Sequence, residues 1–188
     1  MENLAYEEEY EDEKVEIIDG VEYAMAPARI EHITAAFNLG RIIGNFLHKK
    51  RCRVFLEPAV HFGEDMLVPD LVVVCDPSKI NLSYIDGAPD FVVEVLSRST
   101  EKRDKTTKFQ IYEKYGVKEY WIVDTWGKSI TVYKLNNDKF VLTKIYWLPR
   151  EEELKYMTEK EKDSLQLKLK LSLYDDLEFD ISEVFEDI

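Results

Sequence analysis

Glu94 sits where an apolar strand has no ordinary use for an acid: in FVVEVL (91–96) it is flanked by Val93 and Val95. Asp70 follows Pro69 at the start of another apolar run, LVVV (71–74), and Lys108 falls one helical turn beyond Asp104 on the segment after Glu94. A carboxylate carried into such a strand costs several kcal/mol unless a cation or strong hydrogen bonds offset it. If the two strands are neighbours, roughly 4.8 Å apart, Asp70 and Glu94 converge on one point. Two hard oxygen donors with space for waters and phosphate oxygens suit Mg²⁺ or Mn²⁺. Lys108 can then, as an ammonium, orient an attacking water and offset charge in the transition state, or, as the neutral amine, deprotonate that water. Each residue also has a plainer reading: Asp70 as a turn residue, Glu94 as half of a structural ion pair, Lys108 as a solvated lysine.

A second Pro-Asp pair, Pro89-Asp90, precedes the strand of Glu94 itself. Asp90 and Glu94 point to the same side, but four residues along a strand span roughly 13 Å, too far to share an ion with oxygens near ~2.1 Å. Asp90 therefore reads as a strand-entry residue and Asp70 as the ligand. In a second rank stand Glu57, before a Pro that bends the chain, Glu31 and His32 on the first helix, and Asp104. The aromatics Tyr112, Tyr115, Tyr120, Trp121 and Trp126 read as core and interface; base stacking would require exposed rings.

The elements that must position these residues follow from periodicity. KVEIIDGVEYAMA (14–26) reads as a hairpin through Asp19-Gly20, and helical spacing from 29 to 48 predicts a long helix. RVFLEPAVHF (53–62) reads as a strand interrupted at Pro58, and LVPDLVVVCD (67–76) as a strand buried on both faces. Residues 77–87 read as a loop and 91–96 as a third strand. A helix is expected from about Asp104 to Tyr115, closed by Gly116. The strand 117–124 completes a crossover between parallel strands. SITVYKL and KFVLTKIYW make a hairpin, 150–163 is a charged stretch, LQLKLKLSL (165–173) alternates as a strand does, and ISEVF (181–185) reads as a closing helix. The fold class is α/β: a mixed central sheet flanked by helices, with β-hairpin additions at both ends. Residues 1–13 read as an acidic extension and 14–188 as a single domain.

The formal net charge of −13 seems unsuited to a nucleic-acid partner, but it is unevenly spread. Residues 1–19 hold nine acids and one Lys, and residues 151–188 hold thirteen acids and five Lys. Residues 20–150 hold nineteen Lys and Arg against sixteen acids, including the clusters HKKRCR (48–53) and RSTEKRDKTTK (98–108). The middle of the chain can meet a polyanion, or simply present a solvated charged face. No run reaches the ~18 apolar residues of a membrane span. The acidic start is unlike a signal peptide, which gives a cytoplasmic expectation. Cys52 and Cys75 fit no metal spacing, and Cys75 reads as a buried free thiol.

Pro69-Asp70 before one strand and Glu94 in the next resemble the PD-(D/E)XK nuclease pattern. More narrowly, EVLSRST…RD…K…IYEKYGVKEYWIVD is similar to the Uma2 family of restriction-endonuclease-like proteins. The match runs through Glu94, Ser97, Ser99, Thr100, Asp104, Lys108, Tyr112, Gly116, Val117, Glu119, Tyr120, Trp121 and Asp124. EIIDG (16–20), His32 and LEP (56–58) extend it to about 15–148. Two departures stand out. The lysine expected at position 96 is Leu96, and in this family it is supplied by the following helix as Lys108. Arg98 stands where the family more often has Pro. The resemblance implies a restriction-endonuclease-like α/β/α core and a Mg²⁺- or Mn²⁺-dependent endonuclease acting on DNA rather than RNA. Asp70 and Glu94 would bind the metal and Lys108 would assist, in a homodimer able to cut both strands. The alternative is a catalytically inactive nuclease-fold module for binding or assembly.

Overall fold

The computed structural model describes residues 14–98, 100–174 and 176–188. The acidic extension 1–13 and Ser99 lie outside the described residues. A six-stranded mixed sheet runs in the order β11-β10-β9-β8-β6-β3: β3 Arg53–Leu56, β6 Leu71–Val74, β8 Phe91–Val95, β9 Glu119–Asp124, β10 Ser129–Asn136 and β11 Lys139–Trp147. β8 and β9 are parallel, as the crossover between them requires, and every other neighbouring pair is antiparallel. A second sheet of five short strands runs β2-β1-β5-β4-β7, from β1 Val15–Ile18, β2 Val21–Ala24, β4 Ala59–Phe62, β5 Asp65–Leu67 and β7 Tyr84–Asp86.

The two faces of the six-stranded sheet are covered differently. On one, Ala35, Leu39, Ile43 and Leu47 of α1 (Ile30–Leu47) pack against Leu71, Val73, Val93 and Val95, joined by Leu169, Leu171 and Phe179 from the C-terminal segment. α1 comes close to β3 because it carries glycine there: a Cβ on Gly40 would meet Leu56 at 3.1 Å. On the other face, Val72, Val74, Val92 and Ile122 meet Ile111 and Tyr112 of the crossover helix and Ile18, Val60, Phe62 and Leu67 of the second sheet. Alternation along β6 and β8 feeds both cores, which is why these strands are apolar throughout rather than every second residue.

The crossover helix begins earlier than expected. It runs as α2 (Glu101–Arg103), a π-helical turn (Asp104–Lys108) and α3 (Phe109–Tyr115), and Gly116 closes it in the left-handed conformation. The π turn widens the helix by a residue and leaves both Asp104 and Lys108 buried. Other expectations are corrected as well. RVFLEPAVHF and LVPDLVVVCD each divide between the two sheets, at Pro58 and at Val68–Asp70. The loop 77–87 contains β7. The charged stretch holds two short helices, α4 (Glu151–Leu154) and α5 (Glu159–Asp163). Of the alternating run 165–173 only β12 (Lys168–Lys170) pairs, with β13 (Glu178–Asp180), before the closing helix α6 (Ile181–Val184).

Cys75 is not a free thiol: it forms a disulfide with Cys52. The register Arg53↔Val74 sets the two cysteines across from each other at the end of β3 and β6.

Candidate active site

β6 and β8 pair with Leu71 across from Val93, so one further step of the same register sets Asp70 across from Glu94. The Val95 amide donates to Asp70 Oδ2 at 2.6 Å, and His32 Nε2 lies 2.8 Å from Asp70 Oδ1. Glu94 is 2% exposed. Its Oε1 accepts from Lys108 Nζ at 3.0 Å and from the Tyr112 hydroxyl at 2.5 Å, one turn further along the helix. Lys108 Nζ also lies 2.8 Å from Glu16 Oε1 and 3.5 Å from Asp104 Oδ1. The Val68 amide donates to Glu16 Oε1, and Arg103 reaches Glu16 Oε2 at 3.5 Å.

The electrostatics follow from packing four carboxylates, one ammonium and one imidazole at the seam between the two sheets. Burial raises the pKa of Glu94 well above its usual value; Lys108 opposes this, while Asp104, Asp70 and Glu16 add to it. Asp104 is raised for the same reason, against the pull of Lys108 and the Thr100 hydroxyl. The Thr100 hydroxyl also pairs with Ser97, and among the described residues neither Asp104 oxygen has a partner in full hydrogen-bond geometry, the Lys108 ammonium standing 3.5 Å from Oδ1. Burial alone would lower Lys108, but Glu94, Glu16 and Asp104 overcome it and raise its pKa, so it is an ammonium at any ordinary pH. His32 is likewise raised: desolvation works against the charged form and is outweighed by its hydrogen bond and charge interaction with Asp70.

The arrangement brings together Asp70, Glu94, Lys108, His32 and Asp104. It leaves out Glu31, which is exposed, and Glu57, which pairs with Lys14 at the surface although its amide donates to the Asp70 carbonyl. Asp90 serves the opposite end of β8, accepting from the Cys75 amide at 2.7 Å and pairing with Lys118 at 2.6 Å. Glu16 was not among the predicted site residues. The signal for it is that Glu16 shares the inward phase of β1 with Ile18, both buried. Tyr112, read as core, is core and also a hydrogen-bond donor to Glu94.

Among the described residues no three His, Cys, Asp or Glu side chains close on one point as an all-protein metal cage. Mg²⁺ does not need such a cage, since one or two carboxylates plus waters and phosphate suffice. The donor chemistry fits such an ion: Asp70 lies beside Glu94, and Asp104 offers two buried oxygens that take no hydrogen bond among the described residues, one of them 3.5 Å from the Lys108 ammonium.

A mixed sheet with helices against both faces and acids on adjacent central strands defines the restriction-endonuclease-like class of α/β/α folds. A solved structure described as "a putative nuclease belonging to DUF820" from Anabaena variabilis ATCC 29413 shares the fold, with a TM-score of 0.69 over 92% of this chain and 89% of that one, at 20% identity. The chain belongs to the Uma2 family, described as "Putative restriction endonuclease", which matches residues 1–169 and so reaches beyond 15–148 at both ends. It is also similar to two proteins of Synechocystis sp. (strain ATCC 27184 / PCC 6803 / Kazusa), both described as uncharacterized. It is 31% identical to slr1290 over 70% of this chain and 71% of that one, and 27% identical to sll1609 over 80% and 89%. No helix among the described residues is long and apolar enough to cross a membrane.

Proposed function

We propose that the protein is a metal-dependent endonuclease that hydrolyses phosphodiester bonds, in DNA rather than RNA. The observation that carries this reading is the register of β6 against β8, which faces Asp70 toward Glu94 beside the Lys108 ammonium. Asp70 and Glu94 would hold Mg²⁺ or Mn²⁺, which supplies positive charge to the phosphate oxygens and lowers the pKa of a bound water. Lys108 stays protonated, so it donates hydrogen bonds and neutralises developing charge rather than accepting the proton of the water. His32 holds Asp70 in orientation, and Tyr112 does the same for Glu94.

The test is cleavage of supercoiled plasmid by purified protein with Mg²⁺ or Mn²⁺. Activity is expected in the parent and absent in Asp70→Asn and Glu94→Gln. Cleavage that persists in both variants sinks the assignment.

One observation favours a second reading, a nuclease-fold module without catalysis: Lys108 already sits among Glu16, Glu94 and Asp104, where an internal ammonium can substitute for a bound cation. Thermal denaturation separates the two. A bound divalent ion at a hundred times its Kd stabilises by about 2.7 kcal/mol. The module reading expects no shift with Mn²⁺.

A further inference from the structure

Trp126 is one of five exposed aromatics among the described residues, with Phe37, Tyr84, Trp147 and Tyr156, and it is the one with an arginine over its ring. Trp121, Tyr112 and Tyr120 are fully buried, whereas the indole of Trp126 is 63% exposed. It is also held in place: Asp124 Oδ1 accepts from the amides of Trp126 at 2.9 Å and Gly127 at 3.1 Å, and Arg150 donates to the Trp126 carbonyl at 3.1 Å. The Arg98 guanidinium lies over the ring, 4.4 Å from its centroid.

We propose that Trp126, with Arg98 and Arg150 beside it, is a nucleotide-gripping patch. The indole stacks on an unpaired base and the two guanidiniums take adjacent phosphates. This assignment rests on the nuclease reading and names the form of substrate the site engages: a strand with at least one unpaired nucleotide. Three features carry it. A solvated indole on a fixed turn is a stacking platform with little ordering cost. The charges match a single strand: Arg98 lies over one face of the ring and Arg150 holds the turn that carries it, while Glu151, Glu152 and Glu153 of α4 bound the positive patch beyond Arg150. The placement is right as well. Arg98 follows Glu94 by four residues and so lies within about 14 Å of it along the chain, roughly four nucleotide steps at 3.4 Å each. Trp126 follows the end of β9, β8's parallel partner, so both residues leave the sheet at the same edge.

The experiment is fluorescence anisotropy of the full chain with a labelled oligothymidylate of about 12 nucleotides and an abasic oligomer of equal length. EDTA is present so that no metal-dependent cleavage intervenes. The oligothymidylate is expected to bind more tightly than the abasic strand and to quench indole emission. Trp126→Leu, an exposed substitution, should weaken oligothymidylate binding by roughly 5- to 100-fold, remove the quenching, and leave abasic binding unchanged. Arg98→Ala should lower the salt slope by about 0.7, and Arg98→Lys should keep it. Equal affinity for both oligomers, with no effect of Trp126→Leu, overturns the patch. Plasmid cleavage measured in parallel keeps the two proposals apart. Cleavage without base-dependent binding overturns only the patch, and base-dependent binding without cleavage overturns only the nuclease reading.

Discussion

Lys108 Nζ lies 2.8 Å from Glu16 Oε1, an ion pair that ties the first strand of one sheet to the helix packed on the other. The same ammonium touches Glu94 and Asp104, so one buried lysine serves three buried carboxylates. Removing one partner of such a cluster costs far more than the pair itself contributes, because uncompensated charge is left in a poorly solvated place. Lys108→Met is expected to destabilise the fold by about 3–5 kcal/mol near neutral pH in urea denaturation. Much of that loss should return in weak acid, where the carboxylates accept protons. A loss that is the same at both pH values would mean that packing of the alkyl chain, not charge, is what Lys108 supplies.

The pH dependence of the parent protein follows from the same cluster. Burial raises Glu94 above its usual 4.5 and Asp104 above its usual 3.8. In the window above those usual values the folded state keeps protons that the unfolded chain has released, so stability falls as pH rises. The contribution is therefore complete below the usual carboxylate pKa and lost as pH climbs through the folded values. His32, raised above its usual 6.5, adds a loss of the same sign at higher pH. Asp104→Asn should flatten the profile: at about pH 8 the variant is more stable than the parent, and the two converge toward about pH 4. A melting curve for Asp104→Asn below the parent's across the whole range would show that the carboxylate is net stabilising.

What the sequence revealed and what it hid have physical reasons. The long helix, the Asp19-Gly20 hairpin, the apolar central strands and the closing Gly116 were legible because period and turn chemistry are local. The nearness of Asp70 to Glu94 was legible because each acid adjoins or interrupts an apolar strand, and two such strands pair side by side in one core. Glu16 was not, since a Glu in a short amphipathic hairpin looks solvated until the second sheet and the helix cover that face. The split of two apparent strands at Pro58 and at Val68–Asp70 was hidden because proline marks a break without saying which sheet the chain enters next. The Cys52–Cys75 bond depends on the register of β3 with β6, which no spacing encodes.

His32 is a positioning residue if the metal reading holds. Its Nε2 contacts Asp70 Oδ1, and its Nδ1 is buried with no hydrogen-bond partner among the described residues. Hydrogen-bonded neighbours of ligating carboxylates are typically worth about 10- to 100-fold in metal affinity or activity. His32→Gln should lower plasmid cleavage by a factor in that range while shifting the melting temperature little. It should also remove the ionisation above pH 6.5 from the cleavage profile. An unchanged profile would leave His32 a packing residue of α1.

The disulfide closes a loop of 23 residues between β3 and β6, at the end of these strands opposite Asp70. Loop-closure entropy sets its worth: a loop of this length restricts the unfolded chain by about 3 kcal/mol, provided the folded geometry is unchanged. Reduction should therefore lower the denaturation midpoint without altering metal binding or cleavage, because Asp70 and Glu94 are held by the sheet register and not by the bond. Cys52→Ser and Cys75→Ser should each reproduce the shift, and the double variant should match either single one, since one bond is lost in every case. Additive losses in the double variant would mean that the two sulfurs contribute by packing alone. The Tyr174 hydroxyl, 3.2 Å from Cys52 Sγ, would then be the partner to examine.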